Sequence, residues 1–181
     1  KSKGEIFKLN AVIDAIKDRQ YENAIEIGCG EGFLTEKLSK YCKNILGVDI
    51  ADSAISRAKK LFTKNGIDFK CVNIIDFNPD KTFDLIVAVD IVYYMGQEHS
   101  WKHSKEEFSR WVNWLNPGGR VVILNCYHEI SHPKDWMRKE VMEEFRKIFE
   151  STGLKLKKEE VLEFFSENSK SVFLLSILEK S

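Results

Sequence analysis

Glu26 precedes Gly28, Cys29, Gly30 and Gly32, and Asp49 follows it by 23 residues. Gly28 and Gly30 allow backbone conformations that a Cβ would oppose, and Gly30 and Gly32 let a ligand lie against the chain. An acid about 20 positions beyond such a loop is placed to accept hydrogen bonds from ribose hydroxyls. A carboxylate two residues before the first glycine would repel a pyrophosphate and hold a cationic group. Glu31 adds a second negative charge to the loop. The third glycine or alanine of a dinucleotide fingerprint, where helix and strand pack closely, is here Phe33. The chemistry indicated is recognition of a nucleoside that carries positive charge, which argues against an NAD-linked oxidoreductase.

These residues need a frame, and the hydrophobic periodicity supplies one. Apolar residues at helical spacing predict an opening helix over 5–18. A strand over 24–27, a helix over 31–41, a strand over 44–49 and a helix from Asp52 or Ser53, stopped by Gly66, follow in order. Strands are expected at 69–72, 83–89 and 120–125, the last after the turn Asn116-Pro117-Gly118-Gly119 and a helix over 105–115. A helix over 138–151 precedes strands 154–161 and 171–178, whose polar connection is too short for a crossover, so they form an antiparallel hairpin. The result is a single α/β domain over residues 1–181. It is a Rossmann-like, doubly wound, mostly parallel seven-stranded sheet with helices on both faces, ending in the hairpin. Ligands in such sheets bind at the carboxyl ends of the strands, which gathers Gly28, Asp49, Asn73, Asp90 and Asn125 around one crevice.

The run Glu26-Ile27-Gly28-Cys29-Gly30-Glu31-Gly32, with Gly47-Val48-Asp49, resembles the class I S-adenosylmethionine-dependent methyltransferases. Phe83 to Asp90 is similar to the fourth strand of that family, and Leu115-Asn116-Pro117-Gly118-Gly119 to the turn before its fifth. The segment through Ile91-Val92-Tyr93-Tyr94 is most similar to nodulation-type and related small-molecule methyltransferases. The resemblance implies S-adenosylmethionine as cofactor, S-adenosylhomocysteine as product and a methyl group passed to nitrogen or oxygen of a small acceptor. It also implies roles. The glycine loop with Cys29 and Glu26 faces the methionine end, Asp49 holds the ribose, Ile50 packs on the adenine, and Asn73 with Ile74 reads its amino edge. Asp90 follows the fourth strand beside the transferable methyl.

Other residues bear on the acceptor. His128, three residues past the fifth strand, has a side chain suited to proton removal near neutral pH, so Asp90 and His128 are the candidate bases. Tyr93, Tyr94, Trp101 and Trp136 are candidate walls of the acceptor pocket, whereas Trp111 and Trp114 share a helix stripe with Phe108 and belong to the core. The pairs His99/His103 and His128/His132 have metal-ligand spacing but no third ligand, so no metal is expected. The opening helix and the segments 91–104 and 126–139 are expected to choose the acceptor. Lys plus Arg and Asp plus Glu are 28 each, which offers nucleic acid no basic surface, and acidic residues accompany the clusters at 134–139 and 155–158. Four scattered cysteines point to reduced thiols, and no apolar stretch or signal core points to a membrane, so a cytoplasmic protein is expected. The first residue, Lys1, suggests that leading residues are missing. A module that binds the cofactor without turning it over is the alternative from another class. No feature fixes an oligomeric state.

Overall fold

A strand without a polar face must be covered on both sides, and the run from Phe83 to Val89 is such a strand. In the computed structural model, which describes residues 2–62, 64–92, 94, 101–127, 139–167 and 169–181, it lies at the centre of a seven-stranded sheet. The strands are β1 Tyr21–Ile27, β2 Cys42–Asp49, β3 Ile67–Cys71, β4 Phe83–Val89, β5 Leu115–Tyr127, β6 Leu154–Phe165 and β7 Lys170–Lys180. Their order is β3-β2-β1-β4-β5-β7-β6. The first five are parallel, and β7 runs antiparallel between β5 and β6. The described helices are α1 Lys3–Ile16, α2 Phe33–Leu38, α3 Asp52–Leu61, α4 Trp101–Trp114 and α5 Lys139–Ser151.

Alternation along the strands divides the core into two layers. Leu85, Val87, Val122 and Leu124 meet Leu9, Val12 and Ile16 of α1 and Leu34 and Leu38 of α2. Ile86, Ala88, Val121 and Ile123 face the opposite way, onto Phe108 and Trp111 of α4 and Phe145 and Phe149 of α5. Phe108 stacks on Phe149 at 4.2 Å between centroids and meets Trp111 edge-on at 5.2 Å. Each such side chain contributes about 1.5–3 kcal/mol by leaving water. Trp111 and Trp114 are therefore core residues, as their spacing predicts.

Several boundaries differ from the sequence expectation, each for a local reason. β1 begins at Tyr21 rather than residue 24, because the Asp84 carboxylate accepts the N–H groups of Glu22 and Asn23 where β4 does not reach. α2 is confined to six residues. Gly32 at its N-cap is left-handed (φ 79°), and the Tyr41 carbonyl accepts the Tyr21 N–H at 2.8 Å, which commits the chain to β2. Neither Asp52 nor Ser53 caps α3; its N-cap is Ala51, whose N–H donates to Asp49. The turn at 116–119 is an excursion within β5, since Phe83 pairs with Leu115 and Leu85 next pairs with Arg120.

The chain direction across the sheet reverses at β1, with β2 on one side and β4 on the other. Loops leaving the carboxyl ends of β1 and β4 part there and leave a crevice. α1 runs over it, held at its far end by Arg120, which donates to the Ala15 carbonyl and to both oxygens of Asp18 at 2.7 and 3.0 Å.

Candidate cofactor and acceptor site

The turn after β1 is stitched to β2. Gly28 and Cys29 N–H groups both donate to the Val48 carbonyl, at 2.8 and 3.0 Å, and Gly30 N–H donates to Asp49 Oδ2 at 2.8 Å. Asp49 Oδ1 accepts the Ala51 N–H at 2.9 Å, so one carboxylate ties the two strand ends together. Gly28 is left-handed (φ 75°) and a Cβ there would stand 3.1 Å from Ile91. At Gly30 (φ 53°) a Cβ would meet nothing within 4 Å, so this stretch of backbone is bare on its open side. Below the loop Glu26 is only 3% exposed and accepts a hydrogen bond from the buried Thr35 hydroxyl of α2. Burial, then the Glu26 and Asp49 carboxylates, push the Cys29 thiol far above its ordinary range. Cys29 stays protonated and is no nucleophile.

Two cavities open on this loop and share Gly28. The first, about 370 Å³, is lined by apolar Ile27, Val48, Ile50, Val72, Ile74 and Ile91, with Asp49, Asn73 and Tyr94 at its polar margin. Ile50 is 71% exposed and Tyr94 53% exposed, so both border it with much of their surface in solvent. The second, about 290 Å³, is acidic: Glu5, Glu26, Glu31 and Asp90 line it, against the single basic side chain of Lys8 among the described residues. The turn beside the apolar cavity is built by Asn73, whose amide donates to Asp76 at 3.0 Å while its oxygen accepts the Ile75 N–H at 3.2 Å. Arg110 of α4 clamps that turn by donating to the carbonyls of Ile75 and Phe77.

Asp90, at the end of β4, is left-handed (φ 51°), a conformation that costs a non-glycine residue energy and that Asp tolerates better than most. Its N–H donates to the Leu124 carbonyl, its Oδ1 accepts the Cys126 N–H at 2.7 Å, and its Oδ2 accepts Lys8 Nζ at 2.8 Å. Lys8 also pairs with Glu5 at 2.5 Å. Burial disfavours the Lys8 ammonium, but the hydrogen bonds to Asp90 and Glu5 outweigh it and raise its pKa.

Glu26, Gly28, Cys29, Gly30 and Asp90 thus gather on the acidic cavity, and Asp49, Ile50, Asn73 and Ile74 with Gly28 on the apolar one. Gly32 caps α2 behind the loop and lines neither cavity. Tyr94, expected on the acceptor side, stands on the apolar cavity. Asn125, expected in the crevice, is buried under α5 beside Phe145 and Leu174, because its place in β5 turns it to the other face. Tyr93, His99, His128, His132 and Trp136 lie outside the described residues, as do the side chains of Trp101 and His103. Sequence reasoning missed Lys8, Thr35 and Arg110. Thr35 was detectable as the one polar residue on the inner face of α2; Lys8 and Arg110 read as ordinary polar positions. No group of three or more metal-ligating side chains occurs among the described residues, and no described helix is long and apolar enough to cross a membrane.

Comparison with known proteins gives this geometry its relatives. The profile of the nodulation protein S (NodS) family matches residues 4–163. Nodulation protein S of Rhizobium tropici is 32% identical over 102 residues, 56% of this chain and 42% of that protein. A ubiquinone biosynthesis O-methyltransferase of Bradyrhizobium diazoefficiens is 34% identical over 101 residues, 55% of this chain and 38% of that protein. The matches thus span less than half the length of these curated relatives. Among solved structures, the N-methyltransferase NodS of Bradyrhizobium japonicum WM9 in complex with S-adenosylhomocysteine superposes with a TM-score of 0.78 at 21% identity, covering 99% of this chain and 89% of that one. The fold is the Rossmann-like fold of class I methyltransferases, and with the profile spanning most of its length the chain belongs to the NodS family.

Proposed function

We propose that the chain binds S-adenosylmethionine and transfers its methyl group to a nucleophilic nitrogen or oxygen of a small acceptor. The observation that carries this reading is the pair of cavities meeting at Gly28, one apolar and one lined by four carboxylates. A nucleoside joined to a cationic tail matches that division; a dinucleotide would set its pyrophosphate against Glu26 and Glu31. The bare backbone at Gly30 leaves room for such a ligand. When bound, the donor supplies an electrophilic methyl, and its transfer leaves a neutral thioether.

The chain's own residues mainly bind and align, and positioning of this kind can supply about 7–11 kcal/mol of a barrier. Asp49 retains lone pairs beyond the two N–H groups it accepts and can take ribose hydroxyls. Ile50 and Tyr94, exposed at the rim, can close over the adenine. The Asn73 amide is engaged with Asp76, so Asn73 shapes the adenine edge through its turn, with Ile74 and the Arg110 clamp. Glu26, oriented by Thr35, faces the ammonium of the methionine end. Asp90 stands where an acceptor proton would leave, and the acidic lining favours an amine acceptor over an alcohol. The names of the relatives support both nitrogen and oxygen as targets. His128, Tyr93, Trp101 and Trp136 remain candidates for acceptor contact.

Thermal unfolding with S-adenosylmethionine, S-adenosylhomocysteine and NAD added separately tests the donor. At 100 times its dissociation constant a ligand stabilises by about 2.7 kcal/mol. A shift with NAD alone would overturn the reading, and so would unchanged donor affinity in both Glu26→Gln and Asp49→Ala. Donor binding without label transfer to any amine or hydroxyl in a metabolite panel would leave a binding module.

A further inference from the structure

The turn after β3 stands between two neighbours. On one side Asn73, Ile74 and Ile75 line the apolar cavity, which Ile91 and Tyr94 border from the chain that leads towards α4. On the other side lies Arg110, in the third turn of α4. Within the turn, Asp76 N–H donates to the Asn73 carbonyl at 3.1 Å and Phe77 N–H to the Ile74 carbonyl at 3.3 Å. The carbonyls of Ile75 and Phe77 both accept from the Arg110 guanidinium, the second from Nη2 at 2.5 Å. A planar fork with fixed N–H directions holds two carbonyls in only one relative placement. Hydrogen bonds from a charged donor are also about twice as strong as neutral ones. Arg110 therefore fixes the wall of a cavity that it does not itself line.

The guanidinium is itself held from α4. Glu107 accepts from Nη1 at 2.7 Å, and the Trp114 ring centre lies 5.7 Å from the guanidinium carbon, with Phe77 edge-on to the same ring at 5.9 Å. Phe108, Trp111 and Trp114 are buried in the core, so the later part of α4 is anchored without Arg110. Ahead of Phe108 the helix has less to hold it: Lys105 and Glu106 are exposed, and Glu107 pairs with Arg110. Stretches with few buried contacts open locally at little cost in free energy. The chain of contacts from Glu107 through Arg110 to the turn ties this stretch to the cavity wall.

We infer that Arg110 is a positioning residue for the donor: it presets the wall that receives the adenine, and it makes that wall and the helix around Glu107 order together. Resting on the methyl-transfer reading, this adds that donor affinity depends on a helix whose described side chains line neither donor cavity. Coupling of this kind is reciprocal. A ligand that steadies the stretch around Glu107, an acceptor included, strengthens donor binding by the factor with which the donor strengthens its own.

The test titrates the full chain with S-adenosylhomocysteine and with methylthioadenosine, which has the adenosine but no amino-acid tail. Arg110→Met should weaken both by the same factor, about tenfold, as when the competent wall is populated about one-tenth of the time. Arg110→Lys, which keeps the cation but reaches one carbonyl, should weaken both by a smaller common factor. A general loosening of the fold would instead cost S-adenosylhomocysteine more, because it occupies both cavities. Hydrogen exchange gives the second readout. Saturating S-adenosylhomocysteine should slow the amides of residues 106–110 at least about threefold in the wild type, less in Arg110→Lys and not at all in Arg110→Met. Wild-type affinity in both variants, a loss confined to S-adenosylhomocysteine, no slowing in the wild type or equal slowing in the variants overturns the role of Arg110 and leaves the donor site standing. A wild type that binds neither ligand would overturn the donor reading, and this inference with it.

Discussion

Glu26 is the most deeply buried charge in the site, and it accepts a hydrogen bond from the Thr35 hydroxyl. Thr35→Val removes that hydroxyl while keeping the branched shape, so no cavity forms and the hydrogen bond is the only loss. A hydrogen bond to a charged group contributes about 1.5–3 kcal/mol. For a domain of this size that lowers the melting temperature by roughly 3–12 °C, at about 2–4 °C per kcal/mol. Urea unfolding at pH 7, followed by tryptophan fluorescence, reads the loss directly, and Thr35→Ser should restore most of it. The double change Thr35→Val with Glu26→Gln should cost less than the sum of the singles by about 1 kcal/mol or more, because the pair interacts directly. A Thr35→Val protein as stable as the wild type, or strict additivity in the cycle, would refute the claim that Thr35 holds this carboxylate.

Three further outcomes follow from other parts of the fold. Gly32→Ala must accommodate a left-handed residue whose Cβ stands 2.6 Å from the Phe69 ring, so it should destabilise by about 1–3 kcal/mol; denaturant unfolding unaffected by the change would contradict the packing. The Arg120 hydrogen bond holds the Asp18 carboxyl below its ordinary value of 3.8, so its contribution is present above that pH and disappears as pH falls through the lowered value. Because Asp18 is 59% exposed, the stability difference between wild type and Asp18→Asn should stay below about 1 kcal/mol at pH 7; a difference that grew on acidification would have the wrong sign. Iodoacetamide at pH 8 should modify exposed Cys71 first, while Cys42, pushed up to about 12 by burial and then Asp84, and Cys29 react only on unfolding. Mass mapping that finds Cys29 labelled as fast as Cys71 would contradict the closed loop.

Legibility followed the range of the forces involved. β4 has the predicted bounds because a strand buried on both faces must be apolar throughout, and no neighbour is needed to see that. The hairpin was readable from the short polar connection between its strands, yet the insertion of β7 between β5 and β6 was not, because order within a sheet is a matter of pairing across the chain. The overlong expectation for α2 had the same origin. Apolar spacing continues to Tyr41, but β1 takes the Tyr41 carbonyl and ends the helix competition. Asn73 and Ile74 line the apolar cavity, while the diversion of the Asn73 amide to Asp76 depended on a turn geometry that residue types do not announce.

Residue type and spacing alone therefore determined the fold class, the glycine turn, its acid at Asp49 and the carboxylate at Glu26. Each is a local consequence: backbone freedom at glycine, a charge at a strand end, a period of two or 3.6. Only the tertiary structure decided which charges meet. It set Thr35 on Glu26, Arg110 on the turn after β3, and Lys8 on Asp90 across 82 residues. Such pairs form because a buried charge must find a partner, and the partner is whatever side chain packing brings within reach.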